Sequence, residues 1–273
     1  MEVDSQAEKS KPTVAPQRCR LGIVLSGGGS RGVAQIGVLR ALLENRIEPE
    51  CVAGVSAGAI VGALYASGYS PAKMLEFFKT IDPFRLIHVS FGKPGLLDPL
   101  KLVPAFQRYF PENSFEQLQR KLVIAATDLL SGDPTVFASG ELILPVLASS
   151  SFPMVFSPVE IDGRWYGDGG IVDNFPVKLL SGHCEVTLGV HVSQIREMSI
   201  TEFGSSLSIM ERALEVGMIA RSRANFAACD LVILPKDLAR FGMFDTKHFD
   251  EIEAAGYEAA AARMDEIKQL VRR

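Results

Sequence analysis

The segment Gly54-Val55-Ser56-Ala57-Gly58 constrains the fold of this chain more than any other part of the sequence. The apolar residues 51–53 precede it, and the small residues 59–64 follow it. This pattern predicts a strand that turns sharply into a helix, with glycines on both sides of the serine because β-carbons there would collide with neighbouring backbone. Such a turn exposes the Ser56 hydroxyl near the positive end of the helix dipole. Ser56 is therefore a candidate nucleophile, although a serine that only caps the helix gives the same pattern.

Strand and helix patterns alternate along the chain, which predicts an α/β fold with a parallel sheet. A hairpin is predicted at residues 159–166, with Asp162-Gly163 at its turn. The other predicted strands cover residues 21–25, 51–55, 121–128, 135–137, 186–192 and 231–234. The predicted helices cover residues 33–45, 57–68, 142–149, 205–228 and 250–271.

The composition limits the classes of function. With 273 residues, 47% of them hydrophobic, the chain can bury a full core. The net charge is −4 and no long run of Lys or Arg occurs, so we expect no nucleic-acid partner. The four cysteines (Cys19, Cys51, Cys184 and Cys229) lack metal-site or redox spacing, and we expect reduced, mostly buried thiols in a cytoplasmic protein. Residues 1–18 are polar and lack the apolar part of a signal peptide, so we expect a disordered tail.

Two apolar segments need an interpretation. Residues 51–72 carry no charge, but their many glycines fit a strand, a tight turn and a helix better than a transmembrane span, which we do not expect. Residues 71–117 are the most aromatic part of the chain and are broken by prolines. We expect them to form a helical cover over the sheet. The same segment is compatible with an acyl-chain pocket or with peripheral contact to a membrane, through side chains such as Phe91 and Leu97.

A second glycine-rich loop, Gly27-Gly28-Gly29-Ser30-Arg31-Gly32, follows the first predicted strand. It fits a dinucleotide fingerprint, but the next strand ends in Val55-Ser56 and not in the acidic residue that holds a ribose. A Walker A loop is disfavoured because Gly32 is not followed by Lys. The loop fits better as an oxyanion hole, in which backbone N–H groups at a helix N-terminus stabilise developing negative charge. We expect Arg31 to fix the loop.

The segment Tyr166-Gly167-Asp168-Gly169-Gly170 places a carboxylate between glycines. A simple turn would explain it, but the chain offers no better base. None of the four histidines (His88, His183, His191 and His248) lies in a glycine-rich loop. A Ser…Asp…His triad with a later histidine is formally available, but it would leave Asp168 and its glycines unexplained. The missing histidine favours a functional role for Asp168 over a simple turn.

In this order, the loop at Gly27–Gly32, the turn at Ser56 and the Asp168-Gly169-Gly170 segment resemble the signature of the patatin-like phospholipases. The stretch from Ser149 to Pro158 and the pair Asn174 and Pro176 are also similar to that family, so the resemblance covers about residues 21–180. The tail, with Phe244-Asp245 and Gly256-Tyr257, is similar to small bacterial members related to neuropathy target esterase.

This resemblance implies a three-layer α/β/α fold with a mostly parallel central sheet. It implies that Ser56 is the nucleophile and Asp168 the proton acceptor in the hydrolysis of lipid carboxylic esters, with no metal and no other cofactor. It further implies one catalytic domain at residues 19–273, with the core motifs at 21–181 and an extension at 182–273. An aspartate with an ordinary pKa near ~3.9 is a poor base, so burial has to raise the pKa of Asp168.

Two alternatives remain. An acyltransferase or a thioesterase would use the same pair of side chains, because the acyl group on Ser56 can pass to an acceptor other than water. A non-catalytic regulatory module would use the Gly27–Gly32 loop to bind an anion or a nucleotide. The sequence leaves open the head group, the chain length and the oligomeric state.

Overall fold

The computed structural model describes residues 18–81 and 97–272. Its centre is an eight-stranded sheet in which hydrogen-bonded neighbours follow the order β5-β6-β3-β2-β1-β7-β8, with β4 also paired to β3. Strands β3, β2, β1, β7 and β8 are parallel, and β4, β5 and β6 form antiparallel pairs. The strands are β1 (Cys19–Leu25), β2 (Cys51–Val55), β3 (Lys121–Asp128), β4 (Pro134–Phe137), β5 (Val159–Ile161), β6 (Arg164–Asp168), β7 (Cys184–Val190) and β8 (Leu231–Ile233). This arrangement confirms the predicted α/β fold with a mostly parallel sheet.

The described segments contain nine α-helices, more than the five that were predicted individually. They are α1 (Ala34–Glu44), α2 (Ala57–Ala66), α3 (Pro71–Thr80), α4 (Val103–Gln107), α5 (Ile143–Ser149), α6 (Gly170–Asp173), α7 (Ser206–Ala224), α8 (Phe249–Ala261) and α9 (Met264–Val271). The prediction of a single helix at 250–271 is wrong, because the helical backbone is interrupted between α8 and α9. The helix predicted at 205–228 ends early, at Ala224.

Successive residues of a strand point to opposite faces of the sheet. In this sheet, apolar side chains on both faces are buried in a core. On β1, Ile23 and Leu25 belong to the large core that α1, α2, α3 and α8 complete. Val24, between them, belongs to a smaller core with Phe175 and Leu180 on the other face. The fold is therefore a three-layer α/β/α arrangement.

Strands β2 and β6 share one side of β3 and meet end to end. Ala125 of β3 pairs with Val55 of β2 and with β4, and Ala126 pairs with Asp168 of β6 and again with β4. A strand residue has only two sides, so β4 occupies one side and β2 and β6 together occupy the other. The residue after Val55 therefore lies beside Asp168.

The predicted cover is present in the part of 71–117 that the structure describes. Helix α3 begins after Ser70, whose hydroxyl accepts a hydrogen bond from the N–H of Lys73, and Pro71 stands in its first turn. The ring of Phe77 makes edge-to-face contacts with Phe106 and with Tyr109 at centroid distances of 5.2 and 4.8 Å. Phe91 lies outside the described residues, as do residues 1–17 of the predicted tail.

The prediction of four reduced cysteines is wrong for two of them. Cys19 and Cys184 form a disulfide, and Cys51 and Cys229 are free. The reason is the sheet order, since β1 pairs with β7 in a register that sets Cys19 directly opposite Cys184. Among the helices of residues 18–81 and 97–272, none has both the length and the apolar composition that a bilayer crossing requires.

Candidate active site

Ser56 occupies the sharp turn between β2 and α2. Its backbone dihedrals are φ 54° and ψ −126°, which is a sparsely populated conformation for a residue with a side chain and costs about 1–3 kcal/mol. The turn is tight enough that a β-carbon on Gly58 would stand 2.2 Å from the carbonyl oxygen of Leu25, and one on Gly54 would stand 2.5 Å from that of Gly58. The flanking glycines are therefore required by the geometry of the turn.

Ser56 and Asp168 are in direct contact. The Ser56 hydroxyl donates a hydrogen bond of 2.6 Å to Oδ2 of Asp168, and the N–H of Gly170 donates one of 2.8 Å to Oδ1. Asp168 is fully buried. Loss of hydration raises the pKa of Asp168 to about 6, although the two hydrogen bonds act in the opposite direction. The carboxyl group thus has a much higher proton affinity than an exposed aspartate.

Ser149, which the sequence did not single out as a site residue, joins the two halves of this pair. Its hydroxyl accepts a hydrogen bond of 2.9 Å from the N–H of Ser56 and donates one of 2.7 Å to the carbonyl of Ala125. Its own carbonyl accepts a hydrogen bond from the N–H of Gly169. Ser149 therefore fixes the backbone on both sides of the hydrogen bond between Ser56 and Asp168. The signal in the sequence was its place in the Ser149–Pro158 stretch.

The N–H groups of the Gly27–Gly32 loop divide into two kinds. Those of Gly27 and Ser30 donate to the carbonyls of Asn174 and Met243, and that of Arg31 donates to the carbonyl of Gly28. Within the described segments, the N–H groups of Gly28 and Gly29 donate to no protein group. Both residues line a cavity together with Ser56. The loop thus presents two unused donors beside the hydroxyl, while Gly32 packs against Ala57.

Arg31 is buried and turned away from Ser56. Its Nε donates to the carbonyl of Phe241 at 3.0 Å, and its Nη1 forms an ion pair of 2.8 Å with Glu215 of α7. These contacts fix the loop from the C-terminal part of the chain, in agreement with the role expected for Arg31.

An apolar cavity of about 140 Å³ opens beside the hydroxyl of Ser56. Its walls come from the aromatic cover (Phe77, Phe78, Ile81, Pro99, Leu102 and Phe106), from the segment after β4 (Leu147, Ser150, Phe152 and Phe156) and from the C-terminal part (Met243, Phe244, Thr246 and Phe249). A second cavity, of about 20 Å³, lies between Gly28, Ser56, Asn174, Ser193 and Glu215. It is large enough for about one water molecule.

The described histidines line neither cavity. His191 is buried between the rings of Phe175 and Phe226, and burial lowers its pKa to about 4. The ring of His248 is hydrogen-bonded to Asp245 and is half exposed. His88 lies outside the described residues.

Metal-ligating side chains gather elsewhere in the described part of the chain. The sulfur atoms of Cys19, Cys51 and Cys184 lie within 4.8 Å of one another. They belong to the first residues of β1, β2 and β7, at the amino edge of the sheet, whereas Ser56 follows the carboxyl end of β2. Two of the three are joined in the disulfide. No site residue is shared with this cluster.

Comparison with known proteins gives consistent matches. Residues 23–181 match the family model described as patatin-like phospholipase. An uncharacterized NTE family protein of Mycobacterium tuberculosis is 34% identical over 178 residues, which cover 64% of this chain and 49% of the relative. An uncharacterized protein of Acanthamoeba polyphaga mimivirus is 28% identical over 204 residues, 67% of this chain and 69% of the relative.

Among solved structures, VipD from Legionella pneumophila superposes with a TM-score of 0.56 at 13% identity, over 94% of this chain and 67% of that one. At this identity, the match concerns the fold alone. The chain spans about half the length of the mycobacterial relatives.

Proposed function

Because the chain belongs to the patatin-like phospholipase family, we propose that it is a serine acyl hydrolase that cleaves carboxylic esters of lipids with Ser56 and Asp168. The observation that carries this proposal is the hydrogen bond of 2.6 Å between the Ser56 hydroxyl and the buried Asp168 carboxyl. A binding module for anions or nucleotides would need neither this hydrogen bond nor the apolar cavity beside it.

In the first half of the reaction, the ionised carboxyl of Asp168 accepts the proton of the Ser56 hydroxyl while Oγ attacks the ester carbonyl carbon. The carbonyl oxygen becomes negatively charged, and in this proposal it accepts hydrogen bonds from the N–H groups of Gly28 and Gly29, which have no partner among the described residues. The intermediate then collapses, the alcohol leaves with the proton from Asp168, and the acyl group remains on Ser56. The acyl chain would lie in the apolar cavity, which is lined mainly by aromatic and aliphatic side chains.

In the second half, water attacks the acyl carbon and Asp168 takes its proton. The intermediate collapses, the fatty acid leaves, and the proton returns to Oγ of Ser56. The cavity of about 20 Å³ beside Ser56 has room for the water that this step consumes. Transfer to an alcohol or a thiol in place of water would give the acyltransferase or thioesterase alternatives.

The test is intact mass after incubation with a fluorophosphonate, for the wild type, Ser56→Ala and Asp168→Asn. We expect one adduct on the wild type, none on Ser56→Ala, and labelling of Asp168→Asn slowed by roughly 10²–10⁴-fold. Lipid esters with and without added alcohol then show whether water is the acceptor. A folded wild-type protein that forms no adduct would contradict the proposal.

A further inference from the structure

An open groove of about 520 Å³ lies next to the apolar cavity, between α3 and α4. Three of its lining residues, Lys73, Lys101 and Arg108, are cationic, and none of its described lining residues is acidic. Lys73 is paired with Glu76. The side chains of Lys101 and Arg108 are exposed and form no ion pair or hydrogen bond with any residue in the described ranges.

The groove is positive on a protein whose net charge is −4. Two unpaired cations on an acidic molecule create a local potential that attracts anions and orients the protein toward an anionic surface. Tyr69 and Tyr109 also line the groove, with their rings in edge-to-face contact at a centroid distance of 5.7 Å. Tyrosine combines an apolar ring with a polar hydroxyl and is enriched where proteins meet the headgroup region of a bilayer.

The position of the groove indicates which class of anionic partner it binds. Ile81 lines both the groove and the apolar cavity that reaches Ser56. An anionic bilayer surface supplies charge to the groove and acyl chains to the cavity, whereas a nucleic acid or an acidic protein supplies only the charge. We propose that this groove, defined by Lys73, Lys101, Arg108, Tyr69 and Tyr109, docks the protein on bilayers that contain anionic phospholipids.

This inference uses the proposed function to choose a lipid surface, but its test does not depend on catalysis. All proteins carry Ser56→Ala, so that the vesicles stay intact. Binding is measured by sedimentation with vesicles of phosphatidylcholine, with and without phosphatidylglycerol. The test variant is Lys101→Glu with Arg108→Glu. The matched control is Lys178→Glu with Lys236→Glu, which makes the same charge change at exposed lysines outside the groove.

We expect stronger binding to the vesicles that contain phosphatidylglycerol, and weaker binding as salt is added. The test variant should lose roughly 10- to 100-fold in affinity for these vesicles, because each basic residue near an anionic surface contributes about fivefold and two of them are replaced. The control should change by less than about twofold.

Equal binding of the test variant and its Ser56→Ala parent would overturn the inference, as would equal binding to both kinds of vesicle. Tighter binding to RNA than to phosphatidylglycerol vesicles would assign the groove to another polyanion. Absence of a fluorophosphonate adduct on the wild type would count against the proposed function and would leave the vesicle result standing.

Discussion

In the proposed reaction, the Asp168 carboxyl has to be ionised before it can accept the proton of the Ser56 hydroxyl. Because burial raises the pKa of this carboxyl to about 6, we expect kcat/KM for a soluble ester to rise with pH through an apparent pKa near that value and then to level off. The measurement is a pH profile of kcat/KM together with the rate of fluorophosphonate labelling. A profile that is flat between about pH 5 and pH 8 would show that another group is the base.

The same carboxyl makes folding depend on pH. The pKa of Asp168 is about 6 in the folded protein against 3.8 for an ordinary aspartate, so the folded state binds the proton more tightly than the unfolded state does. The contribution of Asp168 to the free energy of unfolding is therefore greatest below the lower value and falls as pH rises through the higher one. The isosteric change Asp168→Asn removes this loss, and we expect it to raise the free energy of unfolding at about pH 8 by up to about 3 kcal/mol.

The check is urea unfolding of both proteins at about pH 4 and about pH 8. The stabilising effect of Asp168→Asn should be small at the lower pH, where the wild-type carboxyl is protonated in the folded state and about half protonated in the unfolded state. A difference that does not change between the two conditions would mean that Asp168 is ionised throughout.

Ser149 holds the backbone of Ser56 in its strained conformation. The change Ser149→Ala removes the acceptor of the Ser56 N–H, and we expect fluorophosphonate labelling to slow by about 10²-fold, because small misplacements of a reacting group are costly. The matched control is Ser151→Ala, since that buried hydroxyl bonds only to the carbonyl of Leu147, in the preceding helix α5. Both variants should lose a similar 1–3 kcal/mol or so of stability. Equal labelling rates for the two would show that Ser149 has no positioning role.

At the scale of elements, α1 and α8 are held together backbone against backbone. A β-carbon on Gly256 would stand 1.8 Å from the carbonyl oxygen of Ala34, and one on Gly37 would stand 1.9 Å from that of Glu253. The change Gly256→Ala should therefore push α8 away from α1 and lower the free energy of unfolding by about 1–3 kcal/mol or more. Because α8 begins at Phe249, which lines the apolar cavity, turnover of long-chain esters should fall as well.

A control with the opposite sign is available in α7. Gly217 lies inside that helix, and a β-carbon there would meet only the end of the Arg221 side chain, at 3.8 Å. The change Gly217→Ala should raise stability by about 0.5–1 kcal/mol, because alanine loses less conformational freedom in a helix. Thermal unfolding of both variants is the measurement. Equal effects of the two substitutions would contradict the packing argument.

The sequence predicted those elements whose signals are local. The turn at Ser56 follows from its glycines, and the hairpin follows from Asp162-Gly163, both of which have positive φ, as a tight turn between twisted strands requires. The break between α8 and α9 was missed because Ala262 and Arg263 are neither glycine nor proline. The end-to-end arrangement of β2 and β6 was also missed, because strand register depends on pairing between distant parts of the chain.

At the scale of the whole molecule, the disulfide between Cys19 and Cys184 joins strands that are 165 residues apart in the sequence. Replacing both cysteines by serine should lower stability by about 2–5 kcal/mol, because the unfolded chain regains the freedom that the link removes. The fluorophosphonate labelling rate well below the unfolding temperature should not change, since the two cysteines lie at the edge of the sheet opposite Ser56. The measurement is thermal unfolding, with Cys229→Ser as the control for loss of a free thiol. Identical unfolding of the double variant and the wild type would contradict the link.

Part of the candidate site could be predicted, because the signals of that part are local in the sequence. Ser56 and Asp168 stand in glycine-rich segments whose backbone demands are visible in the sequence. The contacts that hold the Gly27–Gly32 loop could not be predicted. Arg31 pairs with Glu215, which is 184 residues away in the sequence, and no local pattern around either residue indicates this pair. The disulfide could not be predicted either, since it follows from the pairing of β1 with β7, which are far apart in the sequence.

These long-range contacts also determine the order in which the parts of the candidate site form while the chain is synthesised. A ribosome makes Ser56 and Asp168 well before it makes Glu215, Phe241 and Met243, the residues that hold the glycine loop in place. We expect a nascent chain to assemble the nucleophile and its base while the donors for the oxyanion are still unfixed. A polypeptide that ends before Glu215 therefore lacks the contacts that hold the glycine loop, and the proposed ester cleavage has to wait for the C-terminal part of the chain.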